Sequence, residues 1–151
     1  AEPVDGLEFE ELIDDGVGVM CRYGHPLTAR KRIMASDLEA QVWLAHSRGS
    51  LLRQQTEAAM IASGVRSMQI GCETDSIRSV LEIVSETDLI TTMPKATTHS
   101  YLGDRLVFLP FDHPQFHRPL GVIRRRNRIS SRIEDRFLRL LRQRIGNEKP
   151  S

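Results

Sequence analysis

The chain has 151 residues, 40% hydrophobic and 27% charged, with a formal net charge of +1. That length suits one domain or two small lobes sharing a core, and the composition is that of an ordinary soluble globular protein. No apolar run approaches the roughly 20 residues that cross a bilayer, the acidic N-terminus has no signal-peptide pattern, and the absence of an initiator Met suggests a fragment.

Charge is unevenly spread. Glu2, Asp5, Glu8, Glu10, Glu11, Asp14 and Asp15 crowd the start, whereas Arg118, Arg124, Arg125, Arg126, Arg128, Arg132, Arg136, Arg139, Arg142 and Arg144 crowd the last third. Such asymmetry can mark a nucleic-acid face. Aromatics are few and not interleaved with these arginines, so the stacking platform of single-strand binders is missing, and a solvated helix face with an exposed strand edge is the plainer reading. Cys21 and Cys72 sit in apolar runs; two such residues make neither a disulfide framework nor a metal spacing, and buried free thiols in a reducing cytoplasm are expected.

In chain order, Val17–Tyr23 reads as a strand stopped by Pro26. Ser36-Asp37-Leu38-Glu39 fits a capping box opening a short helical turn. Val42–Ala45 is a short buried strand. His46-Ser47-Arg48-Gly49-Ser50 is a loop into a helix over Leu51–Ser63, which Gly64 ends. Met68–Cys72 is the next strand, and Thr74-Asp75-Ser76 opens a helix whose Ile77, Val80, Leu81 and Val84 share one apolar face. Leu89–Met93 is a third strand, closed by Pro94. This strand–helix–strand–helix–strand order predicts an α/β fold with a mainly parallel sheet. Leu106–Leu109 and Leu120–Ile123 are further strands around an irregular loop. Ser131-Arg132-Ile133-Glu134 is a second capping box, before a final helix to about Ile145 with a stripe of Ile133, Phe137, Leu140 and Leu141. The tail at 146–151 is expected to be disordered.

Open α/β sheets bind ligands outside the carboxyl ends of their strands. His46–Ser50 and Glu73–Ser76 lie there, and both lead into helix N-termini, where free N–H groups favour an anion. Ser47, Gly49, Ser50, Thr74, Asp75 and Ser76, with Arg48 adding charge, suit a carboxylate or a polyol acid. Ser and Thr are also ordinary caps at such starts. His113 and His117 are four apart beside Asp112, a metal spacing only if a helix aligns them, and Pro114 opposes that helix. No Gly-x-Ser-x-Gly, His-Glu-x-x-His, phosphate-binding glycine loop or dinucleotide fingerprint is present, so neither an enzyme nor a cofactor is indicated.

Gly24-His25-Pro26-Leu27, then Ser36-Asp37-Leu38 with Val42-Trp43-Leu44, then Met93-Pro94, the Leu106–Pro110 strand and an Arg-rich strand before a Phe-Leu helix form an ordered series. It resembles the effector-binding domain of LysR-type transcriptional regulators from about Gly6 to Ile145. The resemblance implies a periplasmic-binding-protein-like fold of two α/β lobes with a ligand cleft between them. It implies a second lobe over 29–106 and an incomplete first lobe from 1–28 and 107–145, without the helix-turn-helix DNA-binding domain. It implies a cytoplasmic bacterial sensor of a small anionic metabolite such as a carboxylate or sugar acid, reaching promoter DNA only through that missing domain. It carries Arg22 over to the cleft. It also places homo-oligomer contacts on the 51–63 helix and the 68–72 strand, with Met60 or Ile61 exposed. Where relatives carry a glycine-rich turn, this sequence has Ser85-Glu86-Thr87-Asp88. A periplasmic solute-binding fragment and an α/β enzyme are the alternatives.

Overall fold

A computed structural model of the chain describes residues 6–127 and 129–147. The chain divides into two compact units, Asp15–His117 and Ala1–Asp14 with Arg118–Ser151. The larger unit extends beyond 29–106 because β2 (Val17–Arg22) pairs antiparallel with β5 (Thr91–Pro94) on one side and β6 (Leu106–Phe108) on the other.

Within 29–106 the pairings are parallel. β3 (Val42–Ala45) runs beside β4 (Gln69–Glu73), and Trp43 bridges in parallel to Ile90, the residue just before β5. Successive residues of these strands face opposite sides. Val17, Val19, Cys21 and Trp43 enter one buried cluster with Leu27, Leu38, Ala59, Met60, Ile90 and Phe116. Met20, Leu44 and Met93 enter another with Val80 and Val84. Both faces are therefore covered, one by α2 (Leu51–Ala62) and the other by α3 (Ile77–Glu86). That accounts for the continuous apolar runs at β2 and β3, where a half-exposed sheet would show alternation.

Of the two α2 side chains, Met60 or Ile61, for which exposure was expected, Ile61 is exposed and Met60 is buried. Ile77 also points outward, leaving Val80 and Val84 as the buried line of α3. The first capping box shifts as well: α1 (Ala35–Glu39) starts two residues earlier than Ser36 as the cap would dictate, and the Asp37 carboxylate accepts from the Met34 amide at 2.9 Å. Cys21 is buried, and burial pushes its thiol up to about 11, whereas Cys72 is only half-buried.

Gly24-His25-Pro26-Leu27 is explained by packing. Gly24 has φ +73°, His25 Nδ1 accepts from the Leu27 amide at 3.1 Å, Pro26 opens a 3₁₀ turn, and Leu27 fills the core. The other ring nitrogen of His25 lies 3.3 Å from the Asp88 carbonyl. Ser85-Glu86-Thr87-Asp88 manages without glycine because Thr87 Oγ1 donates to the Ile83 carbonyl at 2.8 Å and accepts from the Leu89 amide at 3.3 Å.

In the smaller unit, β1 (Leu7–Asp14) pairs antiparallel with β7 (Pro119–Arg125), and α5 (Arg132–Asn147) packs on β1. The second capping box forms: the Ser131 amide donates to Glu134 at 2.7 Å, and the Glu134 amide donates to the Ser131 hydroxyl at 3.2 Å. Glu10 takes both Arg124 and Arg142, and these cations lower its carboxyl below the usual value. Leu138 is buried, whereas Ile133, Phe137 and Leu140 are exposed, since a two-stranded ribbon covers only one line of the helix. The tail from 148 onward, expected to be disordered, lies outside the described residues.

Candidate functional site

The carboxyl ends of β3 and β4 bring the two loops together. The Ser47 amide donates to Asp75 Oδ1 at 2.9 Å, and the Thr74 amide donates to the Ala45 carbonyl at 3.0 Å. Beneath this edge lies a buried polar group. His46 has one ring nitrogen 3.2 Å from the Thr92 carbonyl, and the Thr56 and Thr92 hydroxyls meet at 2.6 Å. The buried Arg53 guanidinium donates to the His46 carbonyl at 3.3 Å and pairs with Glu57. A small cavity of about 10 Å³, lined by Trp43, His46, Arg53, Thr56, Met68 and Thr92, is no larger than a single water.

The two helix starts differ. At α3, Ser76 accepts from the Ser79 amide at 3.3 Å, and Thr74 Oγ1 accepts from the Ser76 amide at 3.2 Å, so these hydroxyls act as caps. At α2, Ser50 makes no side-chain cap. Among the described residues, no side-chain cap serves the first-turn N–H groups of α2, as one ordinarily does at such starts, and Ser47, Arg48, Gly49 and Ser50 lie beside them in sequence. Asp75 is the anion already seated between the loops. Hydrogen bonds from the Ser47 backbone and hydroxyl lower its carboxyl below the usual value, with His46 helping.

That lowering sets a pH window. Asp75 contributes stability that is present above its ordinary value of 3.8 and lost as pH falls through the lower folded value. Amide exchange at Ser47 is therefore expected to stay slow from neutral pH down to about pH 4 and to accelerate only below it, relative to the Asp75→Asn variant.

Arg22 does not join these loops. It ends β2 at the side where β5 begins, and it pairs with Asp88 at 2.7 Å, whereas His46 and its loop lie toward the end of β5. Its guanidinium is already matched there. His113 and His117 are not aligned by an α-helix: a 3₁₀ turn spans Pro114–Phe116, and His113 Nδ1 accepts from the Gln115 amide at 3.1 Å. No cluster of three metal-ligating side chains occurs among the described residues. Sequence reading missed Arg53, Thr56, Thr92 and Asp15. Asp15 is buried, and its carboxylate accepts from the Ala96 amide at 2.9 Å and the Thr97 amide at 3.3 Å. The Thr56–Thr92 and Asp15 contacts join residues 36 and more apart in sequence, so no local spacing announces them; Arg53 could have been flagged only through its i,i+4 partner Glu57.

The sequence matches the family described as LysR substrate binding domain over residues 1–146. The HTH-type transcriptional regulator GbpR of Azospirillum brasilense is 30% identical over 119 residues, covering 77% of this chain and 34% of that protein. CysL of Bacillus subtilis, also an HTH-type transcriptional regulator, is 32% identical over 60 residues, covering 40% of this chain and 20% of that protein. The chain thus spans about a third or less of these relatives' length. Among solved structures, the Synechocystis PCC6803 CcmR regulatory domain in complex with 2-PG superposes with a TM-score of 0.80 at 21% identity, over 97% of this chain and 72% of that one. The effector binding domain of QuiR in complex with shikimate gives 0.70 at 20% identity, over 97% and 69%. These likenesses establish the periplasmic-binding-protein-like α/β fold of LysR regulatory domains. By its match over nearly the whole length, the chain belongs to the LysR substrate binding domain family.

Proposed function

We propose that this chain is the effector-sensing and dimerisation portion of a bacterial, cytoplasmic LysR-type transcriptional regulator. A small anionic metabolite docks at the carboxyl edge of β3 and β4, against the start of α2. Binding favours one of two arrangements of the whole regulator and so alters the grip of its helix-turn-helix domain on promoter DNA. The observation that carries this reading is the uncapped N-terminus of α2, set among Ser47, Arg48 and Ser50 at the sheet edge where open α/β folds take ligands. Support comes from shared fold with regulatory domains that hold 2-PG and shikimate. Asp75 suits a hydroxylated acid, since its carboxylate can accept from hydroxyls while the helix start takes the acid group.

The dimerisation reading draws on exposed apolar side chains. Leu51 and Ile61 stand out from α2, and Ile70 stands out from β4, an edge strand of its two-stranded sheet. Membership of a family whose curated relatives are transcriptional regulators supports a binding role over an enzymatic one.

Calorimetric titration of the full-length protein against sugar acids, aromatic acids and amino acids tests the proposal. At least one acid is expected to bind with a dissociation constant in the micromolar range, about −8 kcal/mol. Failure of every acid, with binding only of neutral or cationic compounds, contradicts it.

A further inference from the structure

We propose that Asp75 is a built-in stand-in for the effector: in the free protein its carboxylate holds the donors of Ser47, and the acid group of the incoming metabolite displaces it. This deepens the anionic-effector reading above and rests on it. The Ser47 amide donates to Asp75 Oδ1 at 2.9 Å, the Ser47 hydroxyl donates to the same carboxylate, and His46 Nδ1 lies 3.8 Å from Oδ1. The Ser47 carbonyl in turn accepts from the Ser50 amide at 2.9 Å, so these donors stand a single turn ahead of α2. An amide and a hydroxyl converging on a carboxylate beside a helix start form the donor set that a ligand's acid group needs. In the free protein that set is filled from within.

Asp75 is free to leave. Its side chain is 58% exposed and makes no hydrogen bond or ion pair with any described residue besides Ser47 and His46. It directly precedes the start of α3, yet Ser76 and Thr74 supply the hydroxyls there, so α3 keeps its caps when Asp75 turns away. The Thr74 amide also keeps its bond to the Ala45 carbonyl, so the strand ends stay joined through the backbone and the exchange needs only a side-chain rotation. Asp15 is the contrast. Its carboxylate takes a similar set of donors, the Ala96 and Thr97 amides and the Thr97 hydroxyl at 3.0 Å, but these belong to the short helix α4 (Lys95–Thr98) and Asp15 is 1% exposed, closed to any ligand. While Asp75 holds Ser47, the apparent affinity for an acid falls with the fraction of molecules whose donors are free. Displacement unties the Ser47–Ser50 loop from the residues that open α3, and the released carboxylate turns to accept from the ligand's hydroxyls.

The test titrates the full-length protein with acetate and with acetamide, its neutral counterpart, and follows the Ser47 amide by NMR. Asp75→Ala vacates the Ser47 donors; Asp75→Asn removes the charge but keeps the size and serves if Asp75→Ala folds poorly. The expected result is acetate binding about 10-fold tighter in either variant than in wild type, with no comparable gain for acetamide. Adding Ser47→Ala is expected to remove most of that gain, because the hydroxyl for which the two carboxylates compete is then gone. A gain of equal size with and without Ser47→Ala marks bare charge repulsion and overturns the exchange. Acetate affinity within about twofold of wild type, or weaker, in both Asp75 variants overturns it while leaving an anionic effector in place. Absence of acetate binding to wild type and to both variants overturns the anionic reading and this inference with it.

Discussion

Trp43→Ala is expected to destabilise the Asp15–His117 unit by about 3–5 kcal/mol, the range for emptying a large aromatic site in a packed core. Trp43 is 1% exposed, lies in the cluster with Val19, Leu38, Met60 and Ile90, and donates its indole N–H to the Leu38 carbonyl at 3.2 Å. Truncation therefore opens a cavity and removes the indole's hydrogen bond, leaving the Leu38 carbonyl with its backbone donor from Gln41. Urea unfolding followed by circular dichroism reads the loss, and Tyr23→Ala is the contrast. Tyr23 is 71% exposed, and its change is expected to stay within about 0.5 kcal/mol. Equal effects of the two substitutions would contradict the core described above.

Arg53→Ala is expected to cost about 2–3 kcal/mol and to weaken effector binding as well. Its guanidinium ties the first turn of α2 to the His46 carbonyl and pairs with Glu57, while the buried stem packs beneath the loop. Removal leaves a buried carbonyl unpaired, at about 1–3 kcal/mol, and adds lost packing. Glu57 is left half-exposed, which keeps the loss below that of stranding a fully buried charge. Arg53→Lys retains charge but not the fork that spans both partners, so it is expected to recover only part of the loss. The same unfolding measurement, paired with acid titration, checks both effects. Full stability in Arg53→Ala would show that this cluster does not hold the start of α2.

Local chemistry explains which parts were legible beforehand. β3 falls at Val42–Ala45 as its apolar run indicates, α2 stops at Ala62 before Gly64 with φ +89°, and Ser131 and Glu134 form their reciprocal cap. These features depend on residues within a few positions of one another. The α1 start moved because Asp37, itself inside the predicted box, reaches back to Met34 more effectively than Ser36 caps. The stripe of α5 was legible, but not that Ile133, Phe137 and Leu140 stand exposed, because periodicity gives a helix an apolar face without saying what covers it. At the candidate site, the loops and helix starts were readable from Ser, Thr and Gly at strand ends. Their internal wiring was not: Ser47 meets Asp75 across 28 residues, and Arg22 meets Asp88 across 66. The second pairing removes Arg22 from the loops, and the first makes Asp75 a fixture of the site.

Amide-resolved hydrogen exchange of the full-length protein, with and without the tightest-binding acid from the titration panel, tests the central claim most directly. Added protection is expected at residues 47–53, where the loop enters α2. Protection confined to the opposite end of β5, around Arg22 and Asp88, or to the face of α5, would contradict an effector site at the carboxyl edge of the sheet.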